Sequence, residues 1–209
     1  MWFQNYYWYY SSAIPKKTCE NIIEYGKSLH HDKALTGGIK NTKKISSKEL
    51  KKMNRKRNSS VAWLDDQWIY ELITPYIKNA NQSAGWNFQW DWMESCQFTR
   101  YKPKQYYGWH QDCWDKPYGL DTNENWRGKM RKLSLILNLT DPKEYTGGEL
   151  EFDFRNGTDL NVKKTKICKE IKPQGSVVVF PSFLWHRVKP VKTGTRYSIV
   201  VWSLGWPFS

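Results

Sequence analysis

The chain is poor in the residues that staple small proteins or bind structural zinc. Its 209 residues include four cysteines, Cys19, Cys96, Cys113 and Cys168, and no two of them form a Cys-x-x-Cys pair. That spacing argues against a zinc ribbon or a disulfide scaffold, and makes a reducing, cytoplasmic setting the default expectation. No apolar run approaches the roughly 18 residues that a membrane-spanning helix needs, so no membrane partner is expected. The first ten residues lack a basic stretch followed by an aliphatic one, so a signal peptide is not expected. Histidine is also scarce, with four in all. Internal repeats and low-complexity tracts are absent.

Aromatic residues and positive charge are abundant. Thirteen Trp, thirteen Tyr and eight Phe make up 16% of the chain, which excludes a disordered polypeptide. The formal net charge is +13. It is concentrated in residues 27–57, where eleven Lys and Arg stand against Asp32 and Glu49, leaving only +4 for the rest. Such a segment reads as a solvated loop, or as an arm that attracts an acidic substrate or nucleic acid. No Trp, Tyr or Phe interrupts it, so the stacking half of a single-strand binding surface is missing there.

Hydrophobic periodicity divides the chain. Pro15 opens a helical pattern through Cys19, Ile22, Ile23 and Leu29. Asp65 and Asp66 precede a second, through Ile69, Leu72, Ile73, Tyr76 and Ile77, which Pro75 should kink or split. From residue 86 short β-branched and aromatic runs alternate with turn signals such as Gly147-Gly148, Asn156-Gly157 and Lys192-Thr193-Gly194. The expected organisation is one structural domain overall: helical support over 1–85 with a basic loop at 27–60, then a mainly β core over 86–209 of sandwich or barrel type.

His110-Gln111-Asp112 and His186 lie in that β region. Residues i and i+2 of a strand face one side, so His110 and Asp112 suit a shared metal. With His186 they would make two imidazoles and one carboxylate on one face of the ion, the donor set of non-heme Fe(II) oxygenases. A His-x-Asp tripeptide alone is weak evidence, since a hydrogen-bonded strand pair explains it as well. Ten residues after His186 comes Arg196, with Ser198 on the same face of the next strand. A buried arginine calls for an anion, and its fork suits a carboxylate.

Five ordered segments extend this pattern. They are Phe98-Thr99-Arg100-Tyr101 with Tyr107-Gly108-Trp109-His110-Gln111-Asp112, Leu133 to Leu139 ending in Leu137-Asn138-Leu139, Thr146-Gly147-Gly148-Glu149-Leu150-Glu151-Phe152, Gly175 to Phe180, and His186 with Arg196. Over residues 95–206 the chain resembles the Fe(II)/2-oxoglutarate-dependent dioxygenases, in particular their prolyl 4-hydroxylase-like branch. That resemblance implies a double-stranded β-helix, a cupin-like jelly roll, with N-terminal helices. It implies Fe(II) on His110, Asp112 and His186, and 2-oxoglutarate held by Arg196, Ser198 and Tyr101, with O2 as oxidant and ascorbate as a candidate reductant. The family's tyrosine before Leu-Asn is Ile136 here, and its hydroxylases often carry Lys where Arg196 stands. The implied activity is hydroxylation of a protein or peptide side chain, proline among the candidates, with decarboxylation of 2-oxoglutarate to succinate and CO2. Asp112 disfavours halogenation, because halogenating relatives lack that carboxylate. The alternatives are oxidative demethylation or hydroxylation of nucleic acid bases through segment 27–57, and a jelly-roll binding module without turnover. Residues 113–130 read as a loop after the ligands, suited to a lid. Trp109, Trp114, Trp126 and Trp185 flank the ligands and are candidates for packing or for the cleft wall. Cys113 is not expected to be a ligand.

Overall fold

The computed structural model describes residues 4–34, 55–154 and 165–208. The centre of the basic segment and the Asn156-Gly157 turn signal lie outside these residues.

Two helices carry the N-terminal apolar stripes. α1 (Lys16–Ser28) starts after Pro15, whose φ of −58° suits helix entry, and buries Cys19, Ile22 and Gly26. α2 (Gln67–Ser83) buries Ile69, Ile73, Ile77 and Ala80. Pro75 does not divide α2, contrary to expectation. It sits on the exposed flank, while Ile73 and Ile77 on either side stay packed on the sheet, and that burial holds the helix across the missing hydrogen bond.

Two sheets form the body. The larger joins β1 (Trp8–Tyr10), β12 (Val177–Pro181), β8 (Met130–Asn138), β15 (Arg196–Gly205), β6 (Cys96–Tyr101), β4 (Ser60–Leu64) and β2 (Asp32–Lys33) in that order, with β5 (Trp92–Met93) also on β15. The smaller joins β11 (Thr165–Ile167), β10 (Leu150–Asp153), β13 (Trp185–Val188), β7 (Tyr106–His110) and β3 (Arg57–Asn58). A ribbon of β9 (Tyr145–Gly147) and β14 (Val191–Gly194) completes a jelly roll.

The N-terminal region is more than helical support. β1, β2 and β4 lie toward the two ends of the larger sheet and β3 borders the smaller one, so the segment expected as helices and loop also closes strand edges that would otherwise stand open.

Strand alternation separates two cores. On β8, Leu133, Leu135 and Leu137 meet the helices together with Phe98, Val177, Val179, Ile199 and Val201. Ile136 faces the other way, into an inter-sheet core with Leu150, Phe152, Val178 and Phe180. Each such side chain contributes about 1.5–3 kcal/mol on burial. Gly26 lets α1 approach, since a Cβ there would lie 2.6 Å from the Phe98 ring. Polar side chains take inward positions at two places: Thr99 on β6 with Arg196 and Ser198 on β15, and, beyond Ile136 and Val200, Ser134 on β8 opposite Trp202.

Candidate metal and 2-oxoglutarate site

His110 and His186 are directly opposed across neighbouring strands β7 and β13. On β13, His186 and Val188 pair with His110 and Tyr107, so β7 carries one extra residue between them. That bulge turns Tyr107 and His110, three apart, to the same side, and their rings stack at 3.4 Å with 10° between planes. β7 ends at His110. Asp112 therefore reaches the site from a bend and not from a strand position, as the i, i+2 argument had it. Its main-chain N–H and that of Cys113 both donate to Ser182 O, at 2.8 and 2.9 Å.

The three ligand candidates converge. All are buried, and a ligand atom from each lies within 4.8 Å of the others. His110 Nε2 is 3.5 Å from Asp112 Oδ1, and His186 Nε2 is 3.5 Å from Asp112 Oδ2. Each imidazole places Nδ1 on a carbonyl of its own segment, Gly108 O at 2.8 Å and Leu184 O at 2.9 Å. A carbonyl only accepts, so each Nδ1 carries a proton, and each Nε2 is left facing Asp112. Ser134 Oγ donates to Asp112 Oδ2 at 2.8 Å and shares a hydrogen bond with Ser182 Oγ. Burial pushes the Asp112 carboxyl up, but His186, His110 and Arg131 outweigh it and hold it well below the usual carboxylate range. Burial, and next the His110 ring, push His186 down to about 4. A carboxylate beside a neutral imidazole at neutral pH is the protonation state that ligation requires. Two nitrogens and one hard oxygen, with no thiolate, fit Fe(II). Cys113 is not among them. Its thiol lies on Trp114 O, and burial pushes it up.

Arg196, 2% exposed, faces Tyr101 across β15 and β6, its guanidinium 5.8 Å from the phenol ring. Gly148, at a φ of +66°, lets the arginine stem pass, because a Cβ there would sit 3.1 Å from Arg196 Cδ. Nη1 reaches Ser198 Oγ at 3.5 Å. Among the described residues no carboxylate lies within ion-pair distance of this buried guanidinium. An unpaired buried charge is expensive, so the group fits a carboxylate-bearing cosubstrate, with Ser198 beside it.

The observed strands and donor set match one family. The model for the 2OG-Fe(II) oxygenase superfamily matches residues 96–204. The chain belongs to the 2OG-Fe(II) oxygenase superfamily. Similar oxygenases include PKHD-type hydroxylases from Crocosphaera subtropica, 37% identical over 113 residues, and Gloeothece citriformis, 38% over 110. Each alignment takes in 53% of this chain and 42% of the relative, so the match spans less than half the length of those proteins. A third from Prochlorococcus marinus is 26% identical over 186 residues, 89% of this chain and 71% of the relative. Among solved structures, the viral collagen prolyl hydroxylase of Paramecium bursaria Chlorella virus-1 superposes with a TM-score of 0.62 at 21% identity, covering 97% of both chains. A Trichoplax adhaerens prolyl hydroxylase gives 0.64 at 17%, covering 96% of this chain and 84% of that one. Those likenesses establish the oxygenase fold.

Several residues of this oxygenase's site lay outside the sequence reading. Arg57, counted there with the solvated charge, is buried. It donates to Ser59 Oγ at 2.9 Å and Gln97 Oε1 at 2.6 Å, and lies 4.5 Å over the Tyr107 ring. Burial pushes Tyr107 itself up to about 12, so it stays a neutral phenol. Ser134 interrupts the apolar run of β8, and that interruption was the available signal. Of the four flanking tryptophans, Trp109 packs under Arg187, which faces Glu151 on the opposite side of the sheet from His186. Trp185 is paired with Asp153 and is exposed. Trp114 turns instead toward Arg131, and Trp126 packs on Tyr118.

Proposed function

We propose that the chain is an Fe(II)- and 2-oxoglutarate-dependent hydroxylase of a protein or peptide side chain, with proline the first substrate to test. The observation that carries this reading is a buried His/Asp/His cluster linked through Tyr107 and Tyr101 to a buried arginine that has no carboxylate partner among the described residues. The relatives' names point the same way. The matching proteins are called PKHD-type hydroxylases, and the structural neighbours prolyl hydroxylases, one of them in complex with a peptide fragment.

In the balanced reaction, 2-oxoglutarate, O2 and a C–H bond give succinate, CO2 and C–OH. Bound Fe(II) would supply the redox chemistry that joins O2 to 2-oxoglutarate. The protein's own part is placement. His110 and His186 present Nε2, fixed by the carbonyls behind them, and Asp112 stays ionised, held by Ser134. Arg196 and Ser198 take the distal carboxylate of the cosubstrate, with Tyr101 against the guanidinium. Phe152, Phe180 and Tyr107 wall the ligands and keep water from competing for the buried groups.

Burial of Arg57 weakens the nucleic-acid alternative, since one of the eleven segment cations is committed to the interior. The test is incubation with Fe(II), ascorbate, 2-oxoglutarate and proline-containing peptides, reading succinate and a mass gain of one oxygen. Turnover that His110→Ala abolishes supports the reading. Succinate release unaffected by His110→Ala would sink it.

A further inference from the structure

Behind Asp112 lies an ion pair that the ligand set does not require. Glu94, 4% exposed, meets Arg131 of β8 through a two-pronged contact, Nε to Oε1 and Nη2 to Oε2 both at 2.6 Å. The guanidinium lies 3.7 Å from the Trp202 ring and 4.8 Å from the Trp114 ring. Its remaining nitrogen, Nη1, donates to the main-chain carbonyl of Asp112 at 3.4 Å. Glu94 has further duties. Oε1 accepts from Tyr118 at 2.8 Å, its carbonyl accepts from Tyr70 of α2 at 3.1 Å, and its N–H donates to Trp202 O at 3.0 Å.

The arrangement ties the chain just after Asp112 to rigid elements. Trp114 is the second residue of the segment 113–129, and Tyr118 also lies within it. Tyr118 N–H bonds Lys129 O, and Gly128 N–H bonds Tyr118 O, which folds the segment on itself. Without this pair the segment would have neither the Tyr118 anchor nor the platform under Trp114. A buried ion pair is a poor source of stability, because apolar residues of similar volume do as well or better. Its third contact, on a ligand's own backbone, points to another use.

We propose that Arg131 and Glu94 form a positioning latch that fixes the main chain of Asp112 and holds segment 113–129 against β8 and β15. This rests on Asp112 being a metal ligand. Arg131 acts through Asp112 and through the segment; it touches neither metal nor cosubstrate. Its fork is specific, since lysine cannot grip both Glu94 oxygens and the Asp112 carbonyl together.

The test uses the full chain and Mn(II) alone, with three readouts: metal affinity by titration, hydrogen exchange over 113–129, and thermal unfolding. Arg131→Lys is expected to weaken Mn(II) binding about tenfold, at the lower end for groups that orient a ligand, and to speed exchange over 113–129. The paired change Glu94→Leu with Arg131→Met is the sharper one. Apolar replacement should keep thermal stability while Mn(II) affinity still falls about tenfold. Wild-type affinity and slow exchange in that double variant would make the pair merely structural and overturn the proposal. If the double variant does not fold, Arg131→Lys decides alone, and unchanged affinity there overturns it equally. Failure of the underlying site is separable: in that case His110→Ala would leave Mn(II) binding intact whatever Arg131 does.

Discussion

Replacing Arg196 by methionine should leave the metal-free protein as stable as before and remove its response to 2-oxoglutarate. The side chain is 2% exposed, and no described carboxylate pairs with it. Without cosubstrate, folding therefore bears the desolvation of a lone guanidinium, and an unbranched apolar side chain along the same stem relieves that burden. With cosubstrate the balance reverses. Losing one partner of a buried, two-pronged charge pair costs about 3–5 kcal/mol, which is more than a hundredfold in affinity. Thermal unfolding with Mn(II) and varied 2-oxoglutarate reads both halves. At cosubstrate one hundred times its Kd the wild-type chain gains about 2.7 kcal/mol. For a domain of this size that is a rise of about 5–10 °C in Tm. Arg196→Met should show almost none of that rise at the same concentration, from a starting Tm no lower than wild type. A full ligand-induced rise in the variant would refute the assignment of Arg196 to the distal carboxylate. A large loss of metal-free stability would refute the claim that its charge is uncompensated.

Two further outcomes follow from burial and packing. Because His186 is held down to about 4 against an ordinary value near 6.5, its folded form binds protons less readily than its unfolded form, so metal-free stability should fall as pH drops from about 6.5 to 4. The loss is on the order of 3 kcal/mol, and denaturant titrations across that window should show a flatter slope in His186→Gln. Gly26→Ala should lower stability by about 1–3 kcal/mol, since the new Cβ would meet the Phe98 ring at 2.6 Å; an unchanged denaturant midpoint would show that α1 shifts freely.

What the sequence disclosed depended on whether a signal was local. The β8 run Leu133–Leu139 and the stripe Ile69, Ile73, Ile77 were legible because periodicity records burial directly. The convergence of His110, Asp112 and His186 and the burial of Arg196 were legible through ordered motifs. Pro75 misled because its penalty is local while the burial that overrides it is tertiary. Arg57 misled for the opposite reason. The ten other basic residues of its segment suggested solvent, whereas its strand places it beside Gln97, forty residues away. Glu94 and Arg131 gave no sign at all, for nothing in either neighbourhood distinguishes a buried ion pair from two surface charges. The β7 bulge was equally silent, and it alone explains why Tyr107 and His110 share a face.

The opposition of His110 and His186 on one rung of adjacent strands has a consequence for folding as well as for chemistry. An ion gripping both would staple the chain across about 75 residues. In the chain-entropy picture such a closure strips the unfolded ensemble of roughly 4.5 kcal/mol of freedom, as much as a well-placed disulfide. It would also proofread strand alignment. A slip of β7 by one residue turns His110 to the opposite face and releases the ion, so only the correct register collects this reward. A chain with no cysteine pair to cross-link it thus carries, in its candidate metal ligands, a removable and register-sensitive brace.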